Sequence, residues 1–349
     1  MKNTVHISAQ EKLYLISNLG TLIASGIPII EAIDSLVDDS KGQIRKLLLV
    51  LKDDLNQGKT IAESFARSPK AFDPVTINLI KASEEAGTLE TTLKDISTSV
   101  AKDLEFSGKV KGALAYPVLV VVVLISVIIL NLFFVIPRIG RVFANLNITL
   151  PLPTKILIAV SRFTTQNTIA VILAIVAFFI AATILYKAKR DIFLRVFFSL
   201  PLVSQLAKEI DLTRFTRSMS LLLSSGLPIV EALELAKDVV ARSDIKRAIV
   251  ESKKEVTSGK NLSDGLKHFS KVIPGFAIRI IEAGEKSGTL EKSMAELSEQ
   301  FDMRVSNRLK TLTALIEPVL LLVVGLMVGG LMLAIIAPIY NLIGKISPR

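Results

Sequence analysis

Apolar residues are distributed along the chain in two different ways. In residues 9–25 they recur at helical spacing, with Leu13, Ile16, Leu19, Leu22 and Ile23 on one stripe, which predicts an amphipathic helix with one buried face. In residues 117–136, 168–186 and 318–339 apolar residues are continuous and uncharged, over 20, 19 and 22 positions. A helix needs about 20 apolar residues to cross a hydrocarbon core of roughly 30 Å. A core helix of that length would keep a polar edge, and these runs have none. They are therefore read as three transmembrane helices. The first residues contain no apolar stretch, so no cleaved signal peptide is expected.

Local signals divide the rest into helices. Ser8 with Glu11, and Thr60 with Glu63, have the spacing of capping boxes. Gly26 stops the first helix and Pro28 opens the next. Asp73 before Pro74 is a cap followed by a first-turn proline. Gly87 and Gly288 each end one helix, and the threonine after each caps another. No alternating strand pattern is found. The helices starting at Leu89 and Leu290 meet no breaker before an apolar run, so each is expected to continue into the bilayer.

The chain repeats itself. Residues 19–33 and 219–233 are identical at seven of fifteen positions, at an offset of 200. Residues 77–90 and 278–291 are identical at eight of fourteen, at an offset of 201. Pro117 matches Pro318 and Pro137 matches Pro338. One unit, a soluble helical bundle of about six helices feeding a span, is duplicated. The fold class is all-α. The expected order is a first helical domain (1–112), transmembrane helix 1 (113–137), an external loop (138–167), transmembrane helix 2 (168–186), a second helical domain (187–312), transmembrane helix 3 (313–340) and a short external tail (341–349). Homologous soluble domains belong on one side, which two intervening spans allow. Lys187, Lys189, Arg190 and Arg195 after the second span, and Arg304, Arg308 and Lys310 before the third, place that side in the cytoplasm. The N-terminus is then cytoplasmic and the C-terminus external.

Composition narrows the chemistry. Half of the 349 residues are hydrophobic, 21% are charged, and mean hydropathy is +0.53. There is no cysteine, which excludes disulfides, thiolate catalysis and iron–sulfur clusters, and only two histidines, His6 and His268, which leaves no multi-histidine metal centre. Gly58-Lys59-Thr60 echoes the end of a phosphate loop, but Asp53 stands where that motif needs glycine and the context is helical. A helix stop followed by a cap is the better reading. Glu84, Glu85 and Glu285 lie near the C-terminal ends of helices, where the macrodipole opposes a carboxylate. Such repeated placement needs another reason, and an inter-helix polar contact is slightly favoured over a partner contact. Gly325 and Gly329 form a G-x-x-x-G pair suited to close helix packing and self-association. The Phe-rich segment 192–206 suits either the membrane surface or the second domain's core. No basic run is interleaved with aromatics, so no direct nucleic-acid contact is expected. No catalytic residue, metal or cofactor is expected.

Ser25-Gly26-Ile27-Pro28 with Glu31, Gly87-Thr88-Leu89 and Pro117 recur as Ser225-Gly226-Leu227-Pro228 with Glu231, then Gly284-Glu285, Gly288-Thr289-Leu290 and Glu317-Pro318. In these residues, over nearly its whole length, the chain resembles the type II secretion system protein F family, the inner-membrane platform proteins of secretion and type IV pilus machines. Ser83 stands where the family usually has glycine. The longer N-terminal leader of many members has no counterpart, which leaves secretion, pilus and competence systems open. The resemblance implies a non-enzymatic platform in the bacterial inner membrane that couples a cytoplasmic hexameric ATPase to pilins or pseudopilins, alongside other inner-membrane assembly proteins, lipid and further copies of itself. The alternatives are a transporter or permease and an intramembrane enzyme. A transporter would need polar groups within the spans or broken helices, and a protease paired acids or a nucleophile dyad. The first span has only Ser126 and Asn131 as polar residues, fewer than transport would need, and the spans contain no paired acids.

Overall fold

Side chains at the N-termini set where the helices begin. In the computed structural model, which describes residues 6–145, 152–170, 173, 177 and 201–346, Ser8 and Glu11 form a reciprocal box: the Ser8 amide donates to Glu11 Oε2 at 2.7 Å and the Glu11 amide to Ser8 Oγ at 3.1 Å. This satisfies two of the donors every helix start leaves open. Thr60 and Glu63 do the same, and Asp73 accepts from the Thr76 amide at 2.9 Å ahead of Pro74.

The resulting helices are α1 (Ala9–Ala24), α2 (Ile29–Asp39), α3 (Gly42–Asn56), α4 (Ile61–Ala66), α5 (Pro74–Ala86) and α6 (Leu89–Leu130). After residue 200 the order resumes with α9 (Pro201–Ser224), α10 (Ile229–Ala236), α11 (Ser243–Thr257), α12 (Leu262–Lys267), α13 (Gly275–Ser287) and α14 (Leu290–Ile346). Between them lie α7 (Ile136–Asn145) and α8 (Leu152–Gln166). No strand occurs among the described residues. Glycines with positive φ fall at matching places: Gly26 and Gly226, Gly58 and Gly259, Gly87 and Gly288. Gly87 and Gly288, at φ 69° and 68°, close α5 and α13 in the left-handed conformation. Valine there costs about 1–2 kcal/mol from backbone sterics. We expect Gly87→Val and Gly288→Val to lower the thermal midpoint of the purified full chain, and an unchanged midpoint would remove the assignment.

The chain divides into two compact units. The first unites Met1–Val110 with Gln205–Asn307, and the second unites Lys111–Ser204 with Arg308–Arg349. In the first, buried residues of both halves form one hydrophobic cluster: Leu15, Leu19, Leu48, Phe65 and Leu79 with Phe215, Met219, Leu233, Ile249 and Phe301. Burying each such side chain is worth about 1.5–3 kcal/mol. Arg217 of α9 pairs with Asp103 of α6 and stacks over Phe106 at 5.5 Å, so the halves are also joined by charge.

In the second unit, α6 and α14 carry uncharged segments, and by length and composition both helices can cross a membrane. Pro117 lies inside the unbroken α6 and has no amide hydrogen to donate to the Ala113 carbonyl. The Thr313 hydroxyl of α14 lies 3.5 Å from that carbonyl and 2.9 Å from its own Leu309 carbonyl. At Asn131–Val135 the helix widens into a single π turn. The buried Ser161 of α8 donates to the Leu132 carbonyl of this turn at 2.5 Å. Ile136, Gly140 and Phe143 form the buried line of α7, and a Cβ on Gly140 would stand 3.2 Å from Ile158 of α8. The segment 138–167, expected as an external loop between spans, contains α8 and most of α7, packed together. Most of the apolar run 168–186 and of the segment 192–206 lies outside the described residues.

Candidate functional site

The repeat has an internal polar logic that emerges helix by helix. The carboxylate of Glu84, near the end of α5, accepts the Ile61 amide at 2.7 Å and the Ala62 amide at 3.0 Å. In the second half the carboxylate of Glu285, near the end of α13, accepts the Leu262 amide at 2.5 Å and the Ser263 amide at 3.0 Å. Each glutamate is half-buried and caps the start of a six-residue helix, α4 or α12. The unfavourable placement at its own helix end is offset by a favourable one at another helix start, where open N–H groups and the dipole attract an anion. The contact between helices that the spacing suggested is therefore present in both halves.

The other motif residues surround these contacts or hold turns. Gly26 and Gly226 take φ of 80° and 81°, and Pro28 and Pro228 sit at the N-cap one residue before α2 and α10. Glu31 and Glu231 are exposed in those first turns. Gly284 is buried against the first turn of α14, where a Cβ would meet Ser293 Oγ at 2.3 Å and Leu290 Cα at 3.2 Å. Ser83, its counterpart, is buried and donates to the Ile80 carbonyl at 2.8 Å. Glu317 and Pro318 are exposed on α14, and Gly325 and Gly329 have open space beside them. Glu85, His6 and His268 are exposed. Lys59 of the phosphate-loop echo is held by the buried Asp54 at 2.6 Å, with Arg67 on the same oxygen. Burial works against that carboxylate, but Lys59, Ser64 and Arg67 outweigh it and lower its pKa.

Sequence reasoning missed three polar contacts. Asp34 of α2 pairs with Lys52 of α3 at 2.5 Å, and Glu234 of α10 pairs with Lys253 of α11 at 2.6 Å. The repeat register alone could have matched them, since charge of each sign recurs at offsets of 200 and 201. The third is the buried Asp211 of α9, which accepts the Ala241 and Arg242 amides at 2.9 and 2.7 Å. It pins a connection between α10 and α11 that is longer than the one between α2 and α3. Burial raises its pKa, against the two amide bonds and the nearby Arg214 and Arg242. Nothing in the local sequence marked that loop for capping from a distant helix.

Hydrogen bonds from Lys237 and Lys253 depress the Glu234 pKa to about 2. A carboxylate depressed on folding stabilises above its unfolded pKa, near 4.5, and loses that contribution as pH falls toward 2. The difference in thermal midpoint between wild type and Glu234→Gln is therefore expected to be largest above pH 5 and to shrink steadily in acid. A constant difference would detach Glu234 from the ion pairs.

Within the first unit α6, α9 and α14 enclose a cleft of about 340 Å³, lined by Asp95, Lys102, Lys109, Arg217, Glu299 and Asp302 among others. Lys109 reaches Asp302 at 3.5 Å and Lys102 reaches Glu299 at 3.9 Å. Its charges pair across the cleft instead of converging with one sign. Among the described residues no group of three or more His, Cys, Asp or Glu is placed to hold a metal. Among the described residues the polar geometry of the cleft holds helices together.

A sequence profile for type II secretion system (T2SS) protein F matches the chain twice, over residues 15–137 and 215–338. The chain belongs to the type II secretion system protein F family. Each match begins within the first helix of one half and ends near the close of an apolar run. Among curated relatives, the type IV pilus assembly protein PilC of Myxococcus xanthus is 29% identical over 344 residues, covering 98% of this chain and 82% of the relative. PilC of Pseudomonas aeruginosa is 28% identical over 328 residues, 93% and 87% of the two chains. The type II secretion system protein F of Pseudomonas aeruginosa is 29% identical over 345 residues, 96% and 84%. The paired glutamate caps and glycine stops thus belong to a protein F family member.

Proposed function

We propose that this protein F family member is an inner-membrane platform for assembling type IV pilus or type II secretion filaments, coupling a cytoplasmic hexameric ATPase to pilins or pseudopilins. The double family match carries the reading, because each copy runs into a helix that has an apolar segment. In this reading the halves are duplicated cytoplasmic bundles, three helices cross the inner membrane, and the C-terminus is external. The role is mechanical and non-enzymatic. Force arriving at the bundles passes along α6 and α14, which continue beyond the bundles without a break. Glu31 and Glu231, exposed at matching helix starts, are candidate contacts for the ATPase. Further copies and other inner-membrane assembly proteins complete the platform.

Deleting the gene and restoring it tests the role. Loss of surface filaments assigns a pilus machine, loss of exported protein assigns a secretion machine, and loss of neither overturns the platform reading. Capture of the ATPase by the detergent-solubilised full chain, weakened by the double reversal Glu31→Lys and Glu231→Lys, tests the coupling. Reporters active only outside the membrane should stay silent after Asn56 and Ser258 and be active after Arg349.

A further inference from the structure

Helix α7 continues α6 through the π turn, and α8 runs back beside them. Two contacts fix the register. Ser161 Oγ donates to the Leu132 carbonyl at 2.5 Å, and a Cβ on Gly140 would stand 3.2 Å from Ile158. Later residues of α8 therefore stand beside earlier residues of the apolar run 117–136. At 1.5 Å per residue, Arg162 lies roughly 6 Å short of the outer end of that run and Gln166 roughly 12 Å short. At this depth α6 exposes Ile129, Leu130 and Phe134, by 46%, 56% and 61%. On α8 the exposed residues at the same depth include Arg162, Gln166 and Asn167. One flank of the helix pair suits lipid and the other does not.

Asn167 returns its amide to the Phe163 carbonyl at 3.1 Å. Arg162 and Gln166, one helical turn apart, bond to no described residue. An arginine at this depth can snorkel to a lipid phosphate, but the shorter glutamine cannot. An amide facing hydrocarbon without a partner costs several kcal/mol, so polar groups in a bilayer face protein or a water-filled cavity. No Asp or Glu occurs from Phe106 to Arg190 or from Pro318 to Arg349. A second copy in the same orientation thus brings no carboxylate to this depth. We propose that the Arg162–Gln166 line of α8 is an intramembrane docking site for a transmembrane helix of another chain, one that carries an Asp or Glu about one turn inside its external end. The inference rests on the reading of residues 117–136 as a span. The guanidinium fork matches a carboxylate with two parallel bonds. Gln166 adds a hydrogen bond deeper in the same interface, where helices associate through such polar contacts.

The probe is a synthetic polyleucine membrane helix with one Glu four residues inside its external end and a donor dye at that end. Versions with Gln or Leu in place of Glu are the controls. The chain has no cysteine, so Asn145→Cys takes the acceptor dye alone. In vesicles holding the full chain, energy transfer is expected to show the Glu helix associating roughly tenfold more tightly than the Leu helix. Arg162→Leu should abolish the preference for Glu over Gln, Arg162→Lys should keep part of it, and Gln166→Leu should weaken association of both polar helices. If the Glu, Gln and Leu helices associate alike, Arg162 serves lipid phosphate and the proposal fails. A preference for Glu that survives Arg162→Leu also overturns it. The chain has no tryptophan either, so Ile128→Trp reports depth. Lipids brominated at the chain end should quench it, and absence of quenching would overturn the span reading itself. If Ile128→Trp is quenched but Gln166→Cys reacts with a membrane-impermeant maleimide as fast as Asn145→Cys, the site opens to water and the docking proposal alone fails.

Discussion

Glu285→Ala is expected to destabilise the first unit by about 3 kcal/mol, because it leaves two amides at the start of α12 without their charged acceptor. For a unit of this size that is a drop of roughly 6–12 °C in thermal midpoint. Glu84→Ala should act alike through the Ile61 and Ala62 amides. Glu285→Gln should fall between alanine and wild type. It keeps one acceptor but turns an NH2 group toward a second amide donor, and it loses the charge that strengthens both bonds. Thermal melts of the purified full chain would show this. A midpoint unchanged in both alanine variants, with filament assembly lost, would instead assign these residues to partner contact.

Gly284→Val should cost at least about 3 kcal/mol, since its Cβ would lie 2.3 Å from Ser293 Oγ, 2.8 Å from Ser293 Cβ and 3.2 Å from the Leu290 backbone. The Ser293 side chain can be removed but the Leu290 Cα cannot. Ser293→Gly combined with Gly284→Val is therefore expected to recover part of the loss and not all of it. In the first half, Ser83→Gly should cost only about 1 kcal/mol, the ordinary helix penalty, because the fold there already holds a buried serine. Denaturant midpoints of Gly284→Val, Ser293→Gly, their combination and Ser83→Gly would measure the coupling. A Gly284→Val chain as stable as wild type would show that α13 and α14 can separate freely.

Helix starts, stops and the repeat were legible because they depend on residues close in sequence. Ser8 with Glu11 and Thr60 with Glu63 are three apart, and Gly87 and Gly288 act on their own helices. Ile61 and Glu84 are 23 apart, so their pairing depended on how α4 meets α5. The sequence showed that two glutamates sat at unfavourable helix ends, but not which amides they served. The Asp211 clamp was less visible still, because its targets are loop amides with no side-chain signature. Residues 138–167 were read as a loop, since α7 and α8 are too short and too charged to register as spans. Only their packing on the π turn reveals a buried side.

The π turn at Asn131–Val135 also sets the phase of everything that follows it. One extra residue in a turn rotates the downstream helix by about 100°. Removing a single residue from this stretch would swing Ile136, Gly140 and Phe143 away from α8 and leave Ser161 without the Leu132 carbonyl. At the matching place in the second half, residues 332–336, α14 stays regular. The two halves thus leave their apolar segments on different azimuths. That angular difference, one residue deep, decides which side of α7 meets α8, whereas α14 runs through the matching stretch as a single helix.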